Sequence, residues 1–178
     1  MRRVVLKMSV SVDGYAGLPG DASSWVLPSM SVDATEWVLG ILRRAGTHVL
    51  GRVAYEEMEA YWPTSTDVFA APMNETPKVV LSASLTDPAW ANTTVARGDL
   101  ATEIDRLRRE PGGDIVVHGG AGLARSLTTA GLVDEYRLLV HPVALGAGLR
   151  LFASRTDLRP IEVRPFIGGA VGHTYHRA

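Results

Sequence analysis

The sequence predicts one three-layer α/β/α domain on a mostly parallel mixed sheet with an antiparallel C-terminal edge. Three observations carry this. Short apolar runs alternate with amphipathic helical stretches up to about residue 135, the pattern of a parallel sheet with helices on both faces. Only strand-like runs follow, which places an antiparallel edge at the end of the sheet. The chain has 178 residues, 46% of them hydrophobic, enough for one core and too few for two full ones.

The elements follow in order. In residues 4–12, VVLKMSVSV, Val4, Leu6, Met8, Val10 and Val12 share one face, which is the period of a strand. Asp13-Gly14 and Gly17 end it in a turn. Residues 18–33 are rich in Pro, Ser and Gly and read as a long, lid-like loop. Residues 35–46 carry Trp37/Ile41 and Val38/Leu42 at helical spacing, with Gly46 as the expected C-cap. Residues 48–51 form a short strand, 52–62 a helix, 63–77 a second loop and 78–82 a strand. Asp99 is the expected N-cap of a helix whose Leu100, Ile104 and Leu107 share a face. A strand at 114–118, a helix closed by Gly131 and a strand at 134–143 come next, then β-like runs at 161–166 and 171–176.

Composition excludes several classes. The formal net charge is −1, without a basic tail, so nucleic-acid binding by phosphate neutralisation has no footing. There is no cysteine, which removes disulfides, thiolate nucleophiles and zinc-thiolate sites. No run approaches the ~18 apolar residues of a membrane span. The N-terminal MRRVVLKMSVSV is interrupted by Lys7 and lacks a signal-cleavage pattern. The expectation is a soluble cytoplasmic protein. His173 and His176 fall on opposite strand faces, and no metal-ligand spacing occurs.

The informative stretch is VVHGGAGLARSL, 116–127, where a strand runs through Gly119 and Gly120 into a helix. Helix N-termini offer unpaired N–H groups and positive potential, a site for phosphate. Glycine lets a ligand approach that backbone; a tight turn alone would also use it. A dinucleotide fingerprint fails, because Arg125 replaces the third glycine and only 58 residues follow Gly120. No P-loop and no Gly-x-Ser-x-Gly elbow is present. Two further strand ends point the same way. HVLGRVAYE, 48–56, sets Leu50 and Gly51 before Arg52 at a helix start, and VVLSAS, 79–84, ends in hydroxyls. A guanidinium there can clamp a phosphate.

SVSVDGYAG, LGRVAYE, YWP, VVLS, GGAGLARSL, GLVDEYRLLVHPVALGAG and RLF, in this order, resemble the dihydrofolate-reductase-like reductases. The branch is that of the riboflavin-biosynthesis reductase domain, the C-terminal domain of the bifunctional deaminase–reductase. The resemblance spans essentially the whole chain. It implies NADPH as hydride donor and a small heterocyclic or ribosylamino substrate, best 5-amino-6-(5-phosphoribosylamino)uracil. It implies Tyr15, Ala16 and Gly17 over the nicotinamide, and Leu50, Gly51 and Arg52 at the diphosphate and 2′-phosphate. It places Ser82 and Ser84 near the adenosine. Gly119 and Gly120, often joined by a cis peptide in the family, would pass beneath the diphosphate, with Ala121, Gly122 and Leu123 opening the helix.

Folate reductases carry a Trp-x-x-Pro-x-acid run. Here WVLPSM has Trp25 and Pro28 but Met30 in place of the acid, with Asp33 and Glu36 the nearest substitutes. That departure argues against dihydrofolate, since proton delivery needs a group within hydrogen-bond reach. Asp33 and Asp13 are the candidate proton-handling or sugar-binding residues, and Asp13 alternatively caps its turn. Tyr15, Trp62 and His118 are candidates for the substrate cleft; Trp62 and His118 equally suit a core. Residues 133–143 read as a strand long enough to pair across a two-fold axis, so a homodimer is expected. The alternatives are dihydrofolate reduction and a ligand-binding module without chemistry.

Overall fold

The computed structural model describes every residue except Pro19 and Ala22, two positions of the predicted 18–33 loop. Its strands are β1 (Val4–Ser11), β2 (Ala45–Gly51), β3 (Lys78–Leu81), β4 (Thr93–Ala96), β5 (Asp114–Val117), β6 (Glu135–His141), β7 (Leu158–Pro165) and β8 (Val171–Arg177). The helices are α1 (Val32–Leu42), α2 (Arg52–Glu59), α3 (Ala70–Glu75), α4 (Leu100–Arg109) and α5 (Ala121–Thr129). One eight-stranded sheet runs β4-β3-β2-β5-β1-β6-β8-β7. From β4 to β6 every pairing is parallel, and β8 and β7 close it antiparallel.

Period-two alternation sends the side chains of each strand to two cores. Leu6, Val49 and Val117 pack with Ile104 and Leu107 of α4 and Leu127 of α5. Val5, Leu50 and Val116 pack with Trp37 and Ile41 of α1, Tyr55 of α2 and Met73 of α3. β1 lies between β5 and β6, so both of its faces are covered.

The structure departs from the expected elements at four places. Gly46 is not a helix cap: α1 ends at Leu42, and Gly46 lies within β2. A Cβ there would stand 2.5 Å from the Gly113 amide nitrogen, so close strand approach explains this glycine. The 63–77 loop contains α3, whose C-terminal carbonyls at Met73, Asn74 and Thr76 accept from Lys78 Nζ at 2.9–3.1 Å. β4 is an edge strand of four residues, TTVA, too short and polar to announce itself. Finally, β6 is bordered by β1 and β8 and offers no free edge for pairing across a two-fold axis. Asp99 caps α4 as expected, accepting from the Ala101 and Thr102 amides. Among the described residues no helix is long and apolar enough to cross a membrane.

Candidate active site

The parallel strands deliver their carboxyl ends to one edge, and register fixes what meets there. Gly51 of β2 pairs with Leu81 of β3, so Ser82 lies one residue beyond it. Val49 pairs with Val117 of β5, and the His118 amide donates to the Val49 carbonyl at 3.0 Å. Gly51, Ser82 and the Gly119–Gly120 pair thus end three adjacent strands. The Gly119–Gly120 peptide is cis. Gly119 has φ +47° and a Cβ there would lie 2.6 Å from Met8 Sδ, so conformation and space both demand glycine. Gly120 is the N-cap of α5. A Cβ at Gly120 or Gly122 would meet no atom within 4 Å, and one at Gly51 would touch only Leu123 Cβ at 3.6 Å. The first-turn amides of α5 therefore border open space, with no acidic residue in that turn. Such a cradle suits a diphosphate.

The other residues expected at this edge vary in availability. Leu50 is fully buried in the second core, so only its backbone can meet a ligand. Arg52 begins α2 but folds back on Glu56, its Nη1 lying 2.9 and 3.0 Å from the two carboxylate oxygens. This pair is exposed and easily exchanged for a phosphate. Ser82 Oγ accepts from the Ser84 and Leu85 amides at 3.2 and 3.0 Å. Its hydroxyl proton remains free to donate.

The segment after β1 is strapped to residues 143–151. Val12 N donates to Val143 O at 2.9 Å, Ala16 N to Leu149 O at 2.7 Å and Leu149 N to Gly17 O at 2.9 Å. Arg150 donates to the Tyr15 hydroxyl at 3.2 Å and lies over its ring. The Gly17 carbonyl passes against the place where a Gly148 Cβ would be, which accounts for that glycine. Asp13 completes the strap. Its carboxylate accepts from Ser11 Oγ at 2.6 Å, Gly146 N at 2.8 Å and Leu145 N at 3.1 Å. These bonds, Ser11 first, hold Asp13 down to about 2. It is ionised at neutral pH and latches the loop, which agrees with the capping role named as its alternative.

Asp33 is held in the same way. One oxygen accepts from Ser31 Oγ and the Ala34 amide, the other from the Ile167 amide at 3.1 Å. The Ser31 bond above all lowers its pKa. It braces the start of α1 against the turn after β7. Glu36 faces outward and pairs with Arg43. Met30 packs against the second core. Trp62 sits in a 3-10 turn against Phe69 and Tyr61, its carbonyl held by Asn74, as part of the α2–α3 packing.

A group of which the sequence singled out only His118, as a cleft candidate, occupies the α1 side of the sheet. Leu6 and Val117 pair and both enter the first core, so Lys7 and His118, each one residue on, face the other side as neighbours. Burial alone, with no carboxylate to offset it, pushes the Lys7 ammonium down to about 8. His118, buried, is 2.9 Å by Nε2 from His48 Nδ1, and His48 Nε2 is 3.1 Å from the Pro72 carbonyl. Burial pushes His48 down to about 4 and His118 well below the ordinary histidine value. His141, at the end of β6, is 2.7 Å by Nδ1 from Ser29 Oγ and edge-on to Trp25. Its Nε2 is buried without a partner. The signal for Lys7 lay in strand parity: Val5, Lys7, Ser9 and Ser11 form the second face of a strand covered on both sides.

This architecture is an α/β domain of the dihydrofolate-reductase-like fold. Residues 2–170 match the RibD C-terminal domain family, and the chain belongs to it. Over 98% of its length it is 30% identical to YyaP of Bacillus subtilis (strain 168), itself uncharacterised, and covers 95% of that protein. Solved structures of the same fold include a Shewanella sp. PV-4 protein provisionally named for riboflavin biosynthesis, with a TM-score of 0.81, 20% identity and 99% coverage of both chains. Acinetobacter baumannii RibD gives 0.76 at 16% identity, covering 100% of this chain and 58% of RibD.

Proposed function

We propose that the protein is an NADPH-dependent reductase that transfers hydride to a small heterocyclic or ribosylamino substrate, with 5-amino-6-(5-phosphoribosylamino)uracil the best candidate. One observation carries this: open space over the α5 N-terminus at Gly120 and Gly122, next to Gly51 and Ser82 on adjacent strand ends. The first-turn amides of Ala121, Gly122 and Leu123 would hold the diphosphate, Arg52 the 2′-phosphate, and Ser82 with Ser84 the adenosine end. Bound there, NADPH supplies the hydride. The Tyr15–Gly17 strap covers the nicotinamide end and excludes water.

Lys7 serves as the proton donor. With its pKa at about 8 it is mostly protonated at neutral pH yet near the point of release, as efficient acid catalysis requires. Asp13 and Asp33 are fully ionised at that pH and serve the scaffold. Met30 in the core and Glu36 turned outward weigh against dihydrofolate, which needs a buried carboxylate. A homodimer stays within this proposal, through a surface other than β6, and so does a cytoplasmic location.

Calorimetry with NADPH and NADH, on the protein and on Arg52→Ala, is the test. The preference for NADPH should narrow by ~1–3 kcal/mol when the charge-assisted phosphate contact is lost. Losing only an exposed ion pair, the variant should keep its stability. NADPH oxidation is then followed with the phosphoribosylaminouracil and with dihydrofolate. Absence of binding by either reduced or oxidised NADP would end the proposal.

A further inference from the structure

His118, His48 and the Pro72 carbonyl form a buried chain whose direction chemistry fixes. The Pro72 oxygen can only accept, so His48 Nε2 carries the hydrogen. A neutral imidazole has one N–H, so His48 Nδ1 is a lone pair and His118 Nε2 must donate to it. His118 Nδ1 is left as an acceptor. The two nitrogens of a ring point away from each other. With Nε2 turned to His48, Nδ1 is turned away from it, and Lys7 is the neighbour of His118 across the β1–β5 pairing. The Lys7 charge is near enough to depress the basicity of both histidines; the other charge acting on His48 is Lys78. His141 also feels Lys7 from the β6 side. Lys7 and His118 are neighbours here rather than a bonded pair, and the flexible four-carbon stem of lysine can close the contact.

We propose that His118 is a positioning residue for Lys7. Its Nδ1, fixed as an acceptor through His48 by the Pro72 carbonyl, takes one hydrogen bond from the Lys7 ammonium and so aims the other N–H bonds toward the substrate. This rests on Lys7 being the proton donor, but the test needs neither substrate nor cofactor, so the two readings fail separately.

Nitrogen NMR of the histidine-labelled protein should find His48 and His118 both as Nε2–H tautomers, with neither protonating between pH 8 and pH 5. An Nδ1–H tautomer at His118, or its titration in that range, overturns the proposal. Carbon NMR of labelled lysine then reads the Lys7 pKa. His118→Phe should lower it by about one unit, because the acceptor that favours the charged form is gone. His118→Asn, which keeps an oxygen acceptor near Nδ1, should restore most of the shift. An unchanged Lys7 pKa in His118→Phe, or equal shifts in Phe and Asn variants, would assign His118 a packing role only. The tautomer measurement uses the unmodified protein and decides the matter even if the variants do not fold.

Discussion

Lys7 is a half-buried ammonium that makes no ion pair among the described residues, and that arrangement costs stability. Its pKa is about 8 in the folded chain against 10.5 when free. Below pH 8 both states are protonated and the full cost is present. Between the two values only the unfolded chain keeps the proton, so stability rises with pH. Lys7→Met should therefore stabilise the protein at pH 7 by about 2 kcal/mol while abolishing turnover. Urea denaturation beside the NADPH oxidation assay checks both; a destabilised variant would mean that the ammonium is paired. Residues of this kind differ in legibility. Lys7 was readable from strand parity once β1 was taken as central. The roles of Asp13 and Asp33 were legible only in part: Ser11 and Ser31 are local partners, but Gly146 and Ile167 lie 133 and 134 residues away along the chain. A carboxylate in a loop looks alike whether it meets a substrate or a distant amide.

At the scale of the element, α5 and the glycines before it separate packing from binding. Gly119 has a positive φ and is tight against Met8. Gly119→Ala should lose 2 kcal/mol or more, by about the sum of strain and overpacking. Gly120 has a negative φ, and a methyl there meets nothing. Gly120→Ala should leave thermal stability nearly unchanged, yet its methyl would enter the cradle and weaken NADPH binding about tenfold or more, a loss of at least ~1.4 kcal/mol. Thermal melts and calorimetry on the two variants read this contrast; undiminished affinity in Gly120→Ala would take the diphosphate away from α5. The cradle was legible because strand, glycine pair and apolar helix follow one another directly in sequence. α3 and β4 were not. α3 spans six residues and has Lys78, from the next strand, bonded to the carbonyls at its end, while β4 gains its place only by pairing with β3. Short elements are set by tertiary partners, which local patterns do not carry.

Across the whole molecule, the central sheet buries three histidines, His48, His118 and His141, all on the α1 side. Burial holds His48 and His141 down to about 4 and His118 well below the ordinary histidine value. In the unfolded chain each returns to the ordinary value near 6.5. The unfolded state thus takes up protons first as pH falls, and folded stability declines from about pH 6.5 through pH 4. Paired carboxylates such as Asp13, which titrates at about 2, contribute only below that window. The protein should therefore lose several kcal/mol between pH 7 and pH 4.5, before most acidic residues protonate. Urea midpoints at pH 7, 5.5 and 4.5 measure the decline, and His141→Phe should flatten part of it without altering the His118–His48 pair. A midpoint that holds steady down to pH 4.5 would mean that these imidazoles accept protons without opening the fold. The α1 side of the sheet would then be wet in the free protein, and Lys7 would have a water to share its charge.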